Sequence, residues 1–241
     1  MPEIKNNEYL NAFEKYHSTT STRYANNILA YCDSHKLKPG SVLDLSCKVG
    51  TFLNVFQLSK LKSFGSDISK EMISFSSTKY PKISFKQANV GEIVYKNSFD
   101  IIACNFEYIN LFPNMLSMSK FFKLVLKHLS NKGFLMITML SPNMLKTTTA
   151  KFNSAGNVDE LLEVVNISST EADLKTTLYN NHDEFTTKTT NQLALYIYSP
   201  DDIVDELKRC GFKNCKIVNS ELSENDGEED NSKYYILASK K

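Results

Sequence analysis

The chain has 241 residues and a formal net charge of +1, and 41% of its residues are hydrophobic and 23% charged. This composition supports one or two globular domains with a full core, and the balanced charge gives no indication of nucleic-acid binding. No apolar run is long enough to span a bilayer, and the polar amino terminus lacks the features of a secretory signal. The five cysteines are irregularly spaced and the four histidines are scattered. We therefore expect a reduced, cytoplasmic protein without a disulfide framework, a metal site or a membrane anchor.

The first 38 residues predict two helices. Apolar side chains recur at helical spacing over about residues 6–17, and the Ser/Thr-rich run 18–22 interrupts them. Thr22 is a suitable cap for a second helix, which should end before Pro39.

The stretch 41–53 predicts a strand, a tight turn and the start of a helix. Its apolar run contains one acid, Asp44, and is too short for a helix, so it is typical of a buried parallel strand. Residues 46–50 then form the turn, and Thr51 begins the helix. A helix amino terminus presents unpaired N–H groups, and Gly50 lets the backbone approach a ligand closely.

Strands and helices continue to alternate as far as residue 139. The further predicted strands are 62–66, 83–86, 99–104 and 134–139. Such alternation predicts a mostly parallel sheet with right-handed crossovers and helices on both faces. Four strand ends carry a polar residue at the carboxyl edge, where ligands bind in such sheets: Asp44, Asp67, Asn89 and Asn105.

The remaining residues depart from this alternation. Three strand-like segments, 161–167, 174–179 and 185–197, predict an antiparallel insertion. A capping box beginning at Ser199, with Pro200 at the first helical position, then predicts a last helix. Two final strands should follow, at 214–218 and 234–237, joined by an acidic loop.

Five segments carry a family resemblance: VLDLSCKVG (42–50), GSDISKEMI (65–73), FKQANV (85–90), FDII (99–102) and LSNKGF (129–134). In this order they resemble the class I, Rossmann-like S-adenosylmethionine-dependent methyltransferases of the small-molecule type. The resemblance implies an α/β fold with a seven-stranded, mostly parallel sheet plus an antiparallel β insertion. It implies one domain over 1–241, which consists of the parts 1–38 (cap helices), 41–140 (cofactor-binding core), 141–198 (β-rich lid) and 199–241 (helix and strand hairpin).

The resemblance also implies a cofactor, S-adenosyl-L-methionine, and in-line transfer of its methyl group to a small-molecule acceptor. The implied cofactor-binding residues are Tyr16, Arg23, Asp44, Ser46, Gly50, Asp67, Ile68, Met72, Asn89, Val90 and Asn105. Asp67 would accept hydrogen bonds from the ribose hydroxyls, and Asn89 with the Val90 N–H would bind the adenine edge. Asp67 could instead cap a helix, Ile68 and Met72 could be core residues, and Arg23 could be a plain surface residue.

The catalytic residues are less defined by the resemblance. Candidates for a general base are Glu107, Tyr108, His182 and Glu184. The insertion would cover the acceptor as a roof, although it could equally form the surface of a homodimer.

Two residues depart from the family pattern, because Ser46 and Lys48 stand where the family prefers glycine. A non-glycine residue in the left-handed region costs on the order of 1–3 kcal/mol. Lys48 also brings a cation near a sulfonium, unless its side chain reaches the methionine carboxylate or solvent. The alternative function is therefore a weak or inactive binding or partner protein with this fold. A dinucleotide site is disfavoured because Thr51 also breaks the required glycine pattern, and a nucleic-acid or protein methyltransferase lacks supporting signals.

Overall fold

The structure is a computed structural model that describes residues 7–106, 108–140, 150–155, 158–166, 168, 170–182, 185–218, 222 and 233–241. The helices are α1 (Asn7–Ser34), α2 (Thr51–Leu58), α3 (Lys70–Lys79), α4 (Met115–His128) and α5 (Pro200–Cys210), with a 3-10 turn at Tyr108–Leu111. The strands up to the insertion are β1 (Ser41–Asp44), β2 (Lys62–Asp67), β3 (Ser84–Gln87), β4 (Phe99–Cys104) and β5 (Leu129–Leu140). The later strands are β6 (Ala150–Ala155), β7 (Val158–Asn166), β8 (Glu171–His182), β9 (Phe185–Tyr196), β10 (Lys213–Val218) and β11 (Lys233–Ser239).

The main sheet has seven strands in the order β3-β2-β1-β4-β5-β11-β10. Strands β3, β2, β1, β4 and β5 are parallel, and β11 is antiparallel to both β5 and β10. The predicted mostly parallel seven-stranded sheet is therefore confirmed. From β1 the sheet continues through β2 and β3 on one side, and from β4 through β5 on the other, so the strand order switches between β1 and β4. The carboxyl ends of these two strands are therefore the expected place for a ligand.

Both faces of the sheet are covered, as a parallel sheet requires. Val42 packs with residues of α1 and α2 on one face, while its neighbour Leu43 packs with residues of α4 and α5 on the other. Both side chains are fully buried. This explains why β1 has a continuous apolar sequence rather than an alternating one.

The prediction of two amino-terminal helices was wrong, because α1 is one continuous helix of 28 residues. Ser18 donates its hydroxyl to the Lys15 carbonyl, so this polar group of the Ser/Thr run is satisfied within the helix. Ser21 is buried on the same side as Ala25 and Ile28. Packing of this side against the core outweighs the weak helix propensity of residues 18–22. No helix in the described part of the chain is long and apolar enough to cross a bilayer.

The insertion forms a second sheet of four antiparallel strands, β6 to β9, instead of the predicted three. The missed strand, β6, has the short sequence AKFNSA, whose pattern of apolar and polar residues is weak. This sheet docks on the main one through Asn110, which donates to the Tyr196 carbonyl and accepts from the Leu140 N–H at 2.9 Å each. Leu140 also packs with Leu195 and Ile197 in a small buried cluster.

Two smaller predictions need correction. The fifth strand begins at Leu129, directly after α4, where the sequence predicted a turn over 129–134. Gly133 lies in this strand, where an added Cβ would come within 2.8 Å of the Phe99 carbonyl oxygen. Ser199 does occupy the N-cap position of α5 with Pro200 in the first turn, but its side chain makes no capping hydrogen bond.

Candidate functional site

Two buried polar residues lie at the carboxyl ends of β1 and β4, where the strand order switches. Asp44 ends β1 and Asn105 directly follows β4, and their side chains are 0% and 3% exposed. One Asp44 oxygen, Oδ1, accepts from the Ser46 N–H at 3.3 Å. Asp44 Oδ2 and both polar atoms of the Asn105 amide have no hydrogen-bond partner within the described residues. Buried groups of this kind are rare in native proteins and need an explanation such as a ligand.

The ionisation of the Asp44 carboxyl is also strongly perturbed. Burial raises the pKa of its carboxyl from 3.8 to about 7. The Ser46 N–H, the nearby Asn105 amide and the Lys48 ammonium lower it, whereas the Asp67 carboxylate raises it. Asn105 is thus close enough to act on Asp44, although the two do not form a hydrogen bond of normal geometry. A carboxyl that titrates near neutral pH in this position is a common feature of functional sites.

The turn after β1 is held by backbone hydrogen bonds. The Cys47 N–H donates to the Ser66 carbonyl at 3.0 Å, and the Gly50 N–H donates to the Cys47 carbonyl at 2.8 Å. Gly50 has φ 82°, and a Cβ there would come within 2.8 Å of the Phe85 ring. Glycine is therefore required at this position for both conformation and space.

Of the two departures from the glycine pattern, only one has a strained backbone. Lys48 has φ 50°, in the left-handed region, whereas Ser46 is not among the residues with positive φ. The expectation of positive φ is thus met at residue 48 and not at residue 46. Lys48 is stabilised there because its N–H donates to Asp67 Oδ2 at 3.0 Å and its carbonyl accepts from Ser76 Oγ at 2.8 Å.

Asp67 connects this turn to the next one. Its Oδ2 accepts from the Lys48 N–H, and its Oδ1 accepts from the Ser69 N–H at 3.0 Å. The side chain that caps α3 is Ser69, whose hydroxyl accepts from the Met72 N–H at 3.2 Å. The alternative interpretation of Asp67 as the N-cap residue therefore does not apply, although Asp67 does stabilise both turns.

The residues expected around an adenine lie on the same edge of the sheet. Ile68 is 57% exposed, which is unusual for an isoleucine beside a buried acid. Met72 is half-buried and packs against the small cluster of Leu10, Phe13 and Val49. The next strand end also carries its two predicted residues. Asn89 is exposed, and its backbone N–H and side-chain Nδ2 both donate to Glu92 Oε2. Val90 is half-buried against the core.

An aromatic pair surrounds the Lys48 ammonium. Nζ lies 5.9 Å from the ring centre of Phe13 and 5.5 Å from that of Phe106. Phe13 comes from α1, and Phe106 follows Asn105 at the end of β4. His17 contacts both rings, with centroid distances of 4.2 Å to Phe13 and 6.4 Å to Phe106. The sequence predicted Phe13 and His17 only as residues on one helical face, and their four-residue spacing was the available signal.

A further contact fixes α1 over the turn. The Glu14 carboxylate accepts from the hydroxyls of Thr51, at 3.2 Å, and Tyr80, at 2.5 Å, and it pairs with the Lys79 ammonium. Glu14 thereby connects α1 to the start of α2 and the end of α3. No local sequence pattern identifies Glu14, because its partners are far away in the chain.

The two predicted α1 residues, Tyr16 and Arg23, differ in exposure. Tyr16 is half-buried, while Arg23 is exposed in a shallow groove that Thr19 and Asn26 also line. Their roles stay predictions.

The catalytic candidates differ in how far the structure describes them. Tyr108 is buried, and its hydroxyl accepts from the Gly91 N–H at 2.8 Å. Burial raises the pKa of this hydroxyl well above its usual value. His182 is the last residue of β8 and pairs with Phe185 in β9. Glu107 and Glu184 lie outside the described residues. No group of three or more potential metal ligands occurs among the side chains that the structure describes.

Comparisons with known proteins identify the family. A family profile described as a methyltransferase domain matches residues 16–217. No curated protein sequence matches the chain. Among solved structures, an S-adenosylmethionine-dependent methyltransferase from Clostridium acetobutylicum is similar, with a TM-score of 0.78, 18% identity and coverage of 90% of each chain.

Two other similar structures have related chemistry in their names. An amino pentose methyltransferase of calicheamicin biosynthesis from Micromonospora echinaspora, solved with S-adenosylmethionine, has a TM-score of 0.74 and 11% identity over 92% of this chain and 94% of that one. A sugar N-methyltransferase from Streptoalloteichus has a TM-score of 0.68 and 15% identity over 83% of this chain and 80% of that one. At these identities the structures show a common fold, while the family profile covers most of the sequence. The chain therefore belongs to the class I S-adenosylmethionine-dependent methyltransferase family.

Proposed function

We propose that the chain binds S-adenosyl-L-methionine at the carboxyl edge of its parallel sheet and transfers the methyl group to a small-molecule acceptor. The observation that carries the proposal is the buried pair of Asp44 and Asn105, in which Asp44 Oδ2 and both amide atoms of Asn105 lack partners within the described residues. The amino-acid end of the cofactor has an ammonium and a carboxylate, which match an acid and an amide. The residues present therefore fit this cofactor.

The nucleoside half of the cofactor would be bound by Asp67 and its neighbours. Each Asp67 oxygen already accepts one backbone N–H. A carboxylate has about four acceptor positions, so two stay available for the two ribose hydroxyls, which are donors. Asn89 uses its donors on Glu92, so its side-chain carbonyl is available for the amine of adenine. A purine that covers the exposed side chain of Ile68 would remove apolar surface from water.

The chain's own residues would align the acceptor and exclude water. When bound, the cofactor supplies a methyl group on a sulfonium, which is a good leaving group. Phe13 and Phe106 provide apolar surface beside the site, and the second sheet docks above the ends of β4 and β5 through Asn110. Alignment and exclusion of water contribute several kcal/mol in such reactions.

A general base is needed only when the acceptor arrives protonated. Tyr108 is poorly suited to this role, because burial raises the pKa of its hydroxyl and that hydroxyl already holds the Gly91 N–H. His182 and Glu184 stay candidates from the sequence. We therefore propose a mechanism that depends on positioning and assigns no base.

The acceptor class has two lines of support. The net charge of +1 gives no indication of nucleic-acid binding, and the second sheet docks beside the end of β5 through Asn110. Two of the similar structures are named for an amino pentose and for N-methylation of a sugar. An amine-bearing sugar is therefore the first acceptor to test. A weak or inactive relative is the second candidate function, and it is favoured by the positive φ of Lys48.

Calorimetric titration with S-adenosylmethionine and S-adenosylhomocysteine separates the two functions. We expect both ligands to bind, and we expect Asp67→Asn to weaken binding about tenfold or more, the scale of a charge-assisted hydrogen bond. Asn keeps one acceptor oxygen for the turns, whereas Asp67→Ala would release two N–H groups.

Asp100→Asn is the matched control. Asp100 also accepts backbone N–H groups, from Gly40 and Ser41, but it lies at the opposite edge of the sheet. A flat titration of the wild-type protein at millimolar ligand would reject the enzyme and favour the partner-protein function. Equal losses in both variants would reject the ribose role of Asp67.

A further inference from the structure

Lys48 is the unusual residue in the turn, and its backbone is fixed from two sides. Asp67 accepts its N–H at 3.0 Å, and Ser76 donates to its carbonyl at 2.8 Å. The left-handed conformation, with φ 50°, costs free energy in any residue with a Cβ. A turn that retains this cost makes the side chain of residue 48 a candidate for a function.

The Lys48 side chain does not extend into bulk solvent. It is half-buried, and its ammonium lies between the rings of Phe13 and Phe106, at 5.9 and 5.5 Å from their centres. Aromatic faces attract a cation and hold it in place. The ammonium is therefore directed across the site from the turn toward α1 and the end of β4.

Within the part of the chain that the structure describes, no carboxylate pairs with this ammonium. No acid forms an ion pair with Lys48 among the side chains in the described ranges. The carboxyl of Asp44 is close enough for the ammonium to lower its pKa, but burial keeps that pKa near 7. A half-buried cation between two rings can thus accommodate an anionic group from a ligand.

We propose that the Lys48 ammonium binds the carboxylate of the methionine portion of S-adenosylmethionine, an inference that rests on the proposed function. The carboxylate is the only anionic group of this cofactor, and the sulfonium repels an ammonium. Attraction to the carboxylate, and repulsion from the sulfonium and from the α-ammonium, favour the orientation of the methionine chain that places the carboxylate toward Lys48. Lys48 is therefore a positioning residue, and its charge offsets the affinity that the strained turn loses.

Arg23 is the one cation among the cofactor-binding residues predicted from the sequence. Arg23 is exposed in a groove on α1 with Thr19 and Asn26, whereas Phe13, on the same helix, contacts Lys48. Arg23 lies ten residues, or about 15 Å, further along this helix than Phe13, so the cation beside the turn is Lys48.

Binding of two ligands tests the proposal. S-adenosylhomocysteine has the carboxylate, and 5′-methylthioadenosine has the same nucleoside and a thioether but no amino-acid group. Lys48→Met keeps a Cβ in the left-handed turn and removes only the charge. We expect this variant to bind S-adenosylhomocysteine about tenfold more weakly or worse, and to bind 5′-methylthioadenosine as the wild type does. Lys48→Arg should retain most of the affinity for both ligands.

Two controls accompany these variants. Lys48→Gly relieves the backbone and should fold readily. Because this relief can strengthen binding of both ligands, the expected result is a lower ratio of S-adenosylhomocysteine affinity to 5′-methylthioadenosine affinity, as in Lys48→Met. Lys86→Met removes an ammonium that lies 4.8 Å from the centre of the Tyr95 ring, outside the proposed site, and should change neither affinity.

Three results would overturn the role of Lys48: equal losses for both ligands, unchanged binding of S-adenosylhomocysteine, or tighter binding of S-adenosylmethionine by Lys48→Met. The last result would mean that the ammonium mainly repels the sulfonium. A wild-type protein that binds none of the three ligands would reject the proposed function itself. Wild-type binding with no selective loss in the variants would reject only the inference about Lys48.

Discussion

Asp44 should make the folded protein less stable as the pH rises, and Asp44→Asn should abolish this dependence. Burial raises the pKa of Asp44 from 3.8 to about 7. Between those values the folded state retains a proton that the unfolded chain has released, so the free energy of unfolding falls with rising pH. The loss should be complete above about pH 7, where both states are ionised.

The size of the effect follows from the shift. Roughly three pKa units at 1.36 kcal/mol each amount to about 4 kcal/mol in total, or about 1.4 kcal/mol per pH unit within the window. Asn at position 44 keeps a side-chain oxygen that can accept the Ser46 N–H. The variant should therefore lose stability at low pH and gain it, relative to wild type, at neutral pH.

Urea denaturation at several pH values between about 5 and 7 measures this difference. At each pH, the unfolding free energy of Asp44→Asn is subtracted from that of the wild type, which removes the contributions of the other titrating groups. Asp100→Asn is the control: burial raises the pKa of Asp100, but hydrogen bonds from Ser130, Gly40 and Ser41 outweigh it and lower the pKa. Its difference should be flat across the same window. A flat difference for Asp44→Asn as well would refute the claim that its carboxyl is poised near neutrality.

Two further predictions concern stability. Gly65→Ala should destabilise the protein by about 1–3 kcal/mol, because the added Cβ would lie 2.7 Å from the Leu53 side chain. Gly40→Ala, where the nearest contact of an added Cβ is at 3.6 Å, should destabilise it less. Equal midpoints of urea denaturation for the two variants would contradict this reasoning. Glu14→Ala should leave the core intact but speed hydrogen exchange of the backbone amides of residues 7–17. The reason is that α1 loses its contacts with Thr51, Tyr80 and Lys79. Unchanged exchange would show that other contacts hold this end of α1.

Much of the fold could be predicted because the parallel sheet has strong local signals. The continuous apolar sequence of β1 follows from burial on both faces, and the strand ends follow from the alternation with helices. The failures have equally physical causes. The run 18–22 has low helix propensity, yet its buried side packs against the core and the helix continues. Strand β6 has too few apolar residues to be predicted from its own sequence, and it forms by pairing with its neighbour β7.

The residues of the candidate site also divide into those that the sequence could predict and those that it could not. Asp44, Asp67 and Asn105 were predictable, because topology alone brings the carboxyl ends of parallel strands together. The contributions of α1 were not, since the contacts of Phe13 with Lys48 and of Glu14 with Tyr80 depend on how a helix crosses the sheet. No local pattern encodes such a crossing. The family resemblance indicated that this helix closes over the site but did not indicate which of its side chains face inward.

The unbroken course of α1 has a mechanical consequence. A helix of 28 residues is a rod about 42 Å long, and it contains neither proline nor glycine at which it could bend. Its amino-terminal part is held by the Glu14 carboxylate and by Leu10 and Phe13, which pack with Val49. A stiff helix held in this way would have to break both kinds of contact together before this end could move away from Lys48.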